Sequence, residues 1–215
     1  MVILIAPSGA GKTKVEAMLE KLGFIRVISY TTRKPREGEI EGVSYHFITE
    51  DKFKELFDAG FFAEYTNFSG AHYGAAKKDI IPNAVAVFEP NGLQQIKDQS
   101  YEHISFYIDV PEETRRDRML KRNDDTVAVE KRILNDRTAF KDAKESVDFI
   151  VENIDIDQTV EKIITIISEE KAKRRILPGR HVVCMVGCGH QSREVMIHQL
   201  FIENRKRRTE IIITN

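Results

Sequence analysis

The stretch Val2-Ile-Leu-Ile5-Ala-Pro-Ser8-Gly-Ala-Gly11-Lys12-Thr13 joins an unbroken apolar run to a glycine-rich turn, and Val15, Met18, Leu19 and Leu22 follow at helical spacing up to Gly23. Apolar residues without alternation read as a strand buried on both faces, as in a parallel sheet. The turn matches the phosphate-binding loop pattern except that Ala6 stands in place of its first glycine. The chemistry survives that change, because the N–H groups of Ser8, Gly9, Ala10, Gly11 and Lys12 can still converge on a phosphate at a helix N-terminus. Lys12 is expected to bridge the β- and γ-phosphates of a nucleotide, and the Thr13 hydroxyl to ligate Mg²⁺.

Outward from this unit, strand and helix alternate. Apolar runs at 25–29, 84–88, 103–110 and 149–151 interleave with helical patterns near 93–97, 112–122, 127–143 and 159–173. The expected fold class is therefore α/β, a P-loop doubly wound parallel sheet, with residues 25–29 as a buried second strand. Between Thr31 and Tyr73 the texture changes to short aromatic-rich runs (45–48, 61–65, 72–73) with turns at Gly38, Gly42, Gly60 and Gly70, which predicts a small, mostly β insertion. Leu177-Pro-Gly179 breaks the last helix, and 182–215 reads as strand, helix, strand, a C-terminal β-α-β-like extension. The expected domains are a core at 1–32 and 76–176, an insertion at 33–75 and an extension at 177–215.

The composition is that of an ordinary globular chain. Its 215 residues carry 33 Lys and Arg against 34 Asp and Glu, a net charge of −1, which excludes bulk attraction to nucleic acid; the basic clusters 171–175 and 205–208 read as solvated helix faces. No apolar run approaches the ~20 residues of a membrane span, so no membrane partner and a cytoplasmic location are expected. Cys184 and Cys188 fit a reducing compartment. With His181 and His190 they include zinc-ligand types, but the spacing is not that of a finger, and core or loop cysteines are expected. The extension could serve as an oligomerisation surface, so a homo-oligomer is open.

A second constellation lies at Ser29-Tyr-Thr-Thr-Arg33-Lys-Pro-Arg36-Glu-Gly38-Glu-Ile-Glu-Gly42-Val-Ser-Tyr45-His-Phe47. Guanidinium forks bind phosphate oxygens bidentately and a Tyr hydroxyl adds a donor, so Arg33, Arg36 and Tyr45 could clamp a monophosphate.

With these two motifs and Phe62-Ala-Glu64-Tyr-Thr-Asn-Phe-Ser-Gly70-Ala-His-Tyr73-Gly74, the sequence resembles guanylate kinase from about residue 2 to about 170. The resemblance implies transfer of the γ-phosphate of ATP to GMP or dGMP with Mg²⁺. It makes the insertion a nucleoside-monophosphate lobe and about 115–138 a helical lid. It further implies that Ser29 and Glu64 contact the guanine, with Glu64 accepting from N1–H and the 2-amino group. Arg33, Arg36, Tyr45 and Tyr73 hold the acceptor phosphate. Arg118, Arg122 and Arg132 are lid arginines that close over the donor phosphates, with Arg137 a competitor for the last place.

Departures from the family pattern bear on base recognition. Ala75 stands where a hydroxyl usually meets guanine O6, and Val87-Phe-Glu89 replaces an Asp-x-Asp, so that Glu89 alone remains near the metal and base. Two other readings follow from the same residues: a guanylate-kinase-like module that binds a nucleotide or a phosphopeptide, or a kinase for a different acceptor. Retention of Lys12 speaks against the first, and the whole 33–73 lobe against a sugar phosphate.

Overall fold

The computed structural model describes residues 1–175 apart from Ser69 and Asn123; the expected extension at 177–215, with His181, Cys184, Cys188 and His190, lies outside the described residues. β1 (Val2–Ile5) is buried at every position and pairs in parallel with β7 (Ala84–Val87) on one side and β8 (Ile104–Asp109) on the other. β2 (Ile25–Arg26) and β9 (Phe149–Glu152) form the edges of an all-parallel sheet in the order β2-β7-β1-β8-β9. The chain runs from β1 to one side for β2 and β7 and to the other for β8 and β9. The order therefore reverses beside β1, where open parallel sheets leave a crevice at the carboxyl ends of their strands.

The connections are helical: α1 (Lys12–Lys21), α3 (Pro90–Asp98), α4 (Glu112–Leu120) and α5 (Thr126–Ala139), with α6 (Ile156–Arg175) after β9. Ile3, Ile5, Ala86, Phe88, Leu93, Ile96 and Phe140 belong to one buried apolar cluster. Met119, Val129 and Ile133 make a second one where α4 and α5 meet.

The insertion is a four-stranded sheet in the order β4-β3-β6-β5, formed by β3 (Tyr30–Thr31), β4 (His46–Phe47), β5 (Phe62–Phe68) and β6 (Ala71–Ala76). It also contains α2 (Glu50–Asp58), which the sequence reading passes over. The signals for it are present: Thr49 caps it by accepting from the Lys52 N–H, Glu50 and Asp51 lie in its first turn, and Phe53 and Phe57 fall on one face.

Three expectations need correction. Residues 25–29 do not form a buried second strand: β2 keeps two residues, pairs only with β7, and leaves Ile25 44% exposed because it is an edge. The chain then crosses to the insertion's sheet through β3, before residue 33. The helix expected to reach 143 stops at Ala139, where Phe140 turns into the main core. Residues 149–151 form an edge strand whose Val151 is buried and whose Ile150 is exposed.

Leu93 is fully buried in the main cluster. Leu93→Ala should lower unfolding stability by about 2–5 kcal/mol through lost transfer energy and a residual cavity, read from the denaturant midpoint at unchanged m-value.

Candidate active site

The phosphate loop leaves β1 at the crevice. Gly11 at φ +94° and Gly9 at φ +78° adopt backbone conformations that side chains rarely tolerate. At Gly9 there is no room either, since a Cβ would lie 2.6 Å from the Arg115 carbonyl oxygen. Lys12 opens α1 and turns its ammonium back on the loop, donating to the carbonyl oxygens of Ala6 and, at 3.3 Å, Pro7. Burial pulls its pKa down, against the raising effect of Glu89 and Asp136. Thr13 is exposed at the same helix start.

Glu89 occupies the cap position before α3, at the end of β7. Its Oε2 is buried with no hydrogen-bond partner, and burial raises its pKa against the pull of Lys12. An orphaned, buried carboxylate oxygen beside an ammonium suits a hard cation or a charged ligand group.

Ser8 departs from expectation. Its N–H donates to Asp136 Oδ2 at 2.8 Å and its hydroxyl to Asp136 Oδ1 at 3.3 Å, while its carbonyl accepts from Arg115 Nη1 at 3.2 Å. The Ala10 N–H donates to the Pro7 carbonyl at 3.3 Å, so the loop amides left open to a phosphate are those of Gly9, Gly11, Lys12 and Thr13. Arg115 and Asp136 are buried partners of the loop that the sequence reading missed; two charged residues on separate helices give no local signal of being a pair.

The other cations gather in the insertion. Arg33 forks onto Glu39, with Nη1–Oε2 at 2.9 Å and Nη2–Oε1 at 2.8 Å, and its guanidinium lies 5.3 Å from the centre of the Tyr45 ring. Glu39, also overlooked, takes the Arg36 N–H at 2.7 Å. Tyr45 and Tyr73 meet edge to face at 5.9 Å, and Tyr73 lies within interaction range of Arg33 and Arg36. Thus Tyr73, distant in sequence, joins Arg33, Arg36 and Tyr45 at one place. Ser29 precedes β3, its carbonyl accepting from the His46 N–H.

Glu64 sits on β5 opposite Ala75, beside a register shift in the β5–β6 ladder. It is 3% exposed, and burial pushes its carboxyl up to about 8 despite the Ala75 N–H that bonds it; Glu89 adds a further raising effect. Gly92 at the start of α3 gives it room, since a Cβ there would lie 2.5 Å from Glu64 Oε2. Ala75, fully buried, thus serves Glu64 through its backbone.

On the paired helices, Arg118 donates to the Asn153 carbonyl at 3.0 Å, and Asn153 in turn donates to the Ala10 carbonyl at 2.7 Å. Arg132 bonds Asp124 at 3.0 Å and lies in the electrostatic range of Arg36. Arg122 is exposed on the same Asp124 at 3.1 Å. Arg137, the competitor of Arg132, is instead held by Glu112 at 2.9 and 2.7 Å.

The sequence model of the family described as guanylate kinase matches residues 1–170. The chain belongs to the guanylate kinase family. It is similar to the guanylate kinase of Coxiella burnetii, 36% identical over 184 residues that cover 81% of this chain and 89% of that protein. It is also similar to the guanylate kinase of Wolbachia pipientis wMel, 34% identical over 185 residues that cover 81% and 92%. The crystal structure of guanylate kinase from Anaplasma phagocytophilum shares the fold, with a TM-score of 0.64 at 22% identity and 83% of this chain covered, 89% of that one. Among the described residues of this guanylate kinase relative, no helix is long and apolar enough to cross a membrane, and no group of three or more acidic, His or Cys side chains could hold a metal alone.

Burial raises Glu16 to about 7 as well as Glu64 to about 8. The folded chain therefore holds protons that the unfolded chain has released, and the stability present below about pH 4.5 is lost as pH rises through 7 and 8. The thermal midpoint should fall between about pH 5 and pH 8.5, and Glu64→Gln should flatten that slope; an unchanged slope would assign it to other groups.

Proposed function

We propose that this protein is a nucleoside monophosphate kinase that transfers the γ-phosphate of ATP to GMP or dGMP, with residues 33–75 as the acceptor lobe and about 115–138 as the lid. The observation that carries the reading is the meeting of two sets of cations: Arg33 and Arg36 of the insertion, with Tyr45 and Tyr73 beside them, and Arg132 of α5 in the field of Arg36. Phosphoryl transfer needs in-line positioning and positive groups around a spread negative charge more than it needs covalent help.

In this reading the amides of Gly9, Gly11, Lys12 and Thr13 take the donor phosphates, and the Ala10 N–H joins them only by leaving the Pro7 carbonyl. Those phosphates offer Lys12 a charged acceptor in place of the neutral carbonyls of Ala6 and Pro7. Arg33 and Arg36 orient the acceptor phosphate, and the fork that Arg33 already makes with a carboxylate has the geometry a phosphate would use. Glu64 in its ionised form accepts the two adjacent donors of guanine, whereas adenine presents an acceptor at the first of those places. Arg118, Arg122 and Arg132 close on the donor side and exclude water. Thr13 and Glu89 supply the hard oxygen donors that Mg²⁺ takes, and the metal when bound neutralises charge on the phosphates. The cytoplasm, with its supply of ATP, is where such an enzyme would work.

The test is ADP release with ATP, Mg²⁺ and a panel of GMP, dGMP, AMP, CMP, UMP and dTMP. Turnover should be confined to the guanine nucleotides and should vanish in folded Lys12→Ala. No turnover with any acceptor, in protein that still binds GMP, would favour a binding role instead. Arg36→Ala should raise the acceptor KM about tenfold or more with little change in the KM for ATP, because a charge-assisted contact is worth about 1.5–3 kcal/mol; an unchanged acceptor KM would remove Arg36 from the clamp.

A further inference from the structure

Every polar group of Ser8 is taken by one pair of side chains. Its N–H and hydroxyl donate to the Asp136 carboxylate on α5, its carbonyl accepts from Arg115 on α4, and Arg115 Nη1 reaches Asp136 Oδ2 at 3.3 Å. Arg115 and Asp136 are 6% and 2% exposed. The Arg115 backbone also comes so close to Gly9 that no side chain fits between them. We propose that Arg115 and Asp136 are positioning residues for phosphoryl transfer. They fix the donor loop to both lid helices, so that Arg118 and Arg132 reach the phosphates that the loop holds.

The spacing along the helices supports this. Arg115 and Arg118 are three residues apart on α4, and Arg132 and Asp136 four apart on α5, so each helix carries an anchor and an arginine on one face, a turn from each other. Arg118 is already beside the loop, through Asn153 and the Ala10 carbonyl. A purely stabilising role accounts poorly for the pair. Its members are buried charges, Arg115 Nε has no hydrogen-bond partner, and a buried ion pair is by itself weak evidence of a stabilising role. The apolar cluster of Met119, Val129 and Ile133 holds α4 to α5 and is separate from the main core, so the anchor ties that helix pair to the loop by polar contacts.

The proposal rests on the kinase reading, and the test separates the two. Asp136→Asn, Arg115→Lys and the double variant Arg115→Met/Asp136→Leu, which leaves no unpaired buried charge, are each assayed well below their own unfolding midpoint. All three should lose about tenfold to a hundredfold in kcat/KM for ATP, the size expected of a misplaced catalytic frame, with the KM for GMP within about twofold of wild type. The double variant removes the partners of the Ser8 N–H, hydroxyl and carbonyl and should unfold below the wild-type temperature, so its loss is scored only in protein that circular dichroism shows folded at the assay temperature. Wild-type kcat/KM for ATP in the double variant overturns the proposal, as does a KM for GMP that rises in step with that for ATP. Wild-type protein that phosphorylates no nucleotide would sink the kinase reading. The anchor is then read from ADP affinity by calorimetry, expected to fall about tenfold in the same variants; unchanged affinity would overturn it.

Discussion

β1 is hydrogen-bonded on both edges, to β7 and to β8, and buried on both faces. A strand held on every side fixes the point where its chain leaves the sheet, and the phosphate loop begins there. Glu89 at the end of β7 and Asn153 just after β9 reach the same region because parallel strands end together. The rigid part of the catalytic apparatus is thus a property of strand order. The insertion joins that frame through Ala63 and Ala75, and α5 through Phe140, all members of the main apolar cluster, while α4 and α5 meet over a small cluster of their own and reach the loop through Arg115 and Asp136.

Charge is concentrated where burial makes it costly. Lys12, Glu64, Glu89, Arg115 and Asp136 lie around the crevice, and burial pushes Lys12 down and Glu64, Glu89 and Asp136 up. Removing one member of a buried pair costs about 3–5 kcal/mol while replacing both is often neutral, so such pairs are weak evidence of a contribution to stability. The exposed pairs of Arg116 and Arg137 with Glu112 and Glu130 are of a different kind, since solvent and salt screen them.

Much of this was legible in the sequence. The apolar run 2–5 and the turn after it announced a parallel strand feeding a phosphate loop, and β1 and α1 begin where that reading placed them. Arg33, Arg36 and Tyr45 could be grouped because they are close in sequence. Glu39 was harder to see, since a carboxylate among arginines reads as a solvated neighbour until Arg33 is found forked on it. The helix α2 was missed because aromatic residues in short runs resemble strands, although Thr49 and the acidic first turn carried the contrary signal.

The sequence by itself determined the alternation of elements, the chemistry of the loop and the family, because these depend on local periodicity and on motifs whose members lie within a few residues of one another. Only the tertiary structure decided that residues 25–29 end at a sheet edge and that Ser8 is bound by Asp136 rather than left open. It also decided that Arg137 is held by Glu112, whereas Arg132 bonds Asp124 and lies within electrostatic range of Arg36. Each of these depends on which side chains, more than a hundred residues apart in the case of Ser8, are brought within hydrogen-bond reach. Coulomb and hydrogen-bond energies fall off with distance in space, and nothing in the order of residues along a chain states that distance.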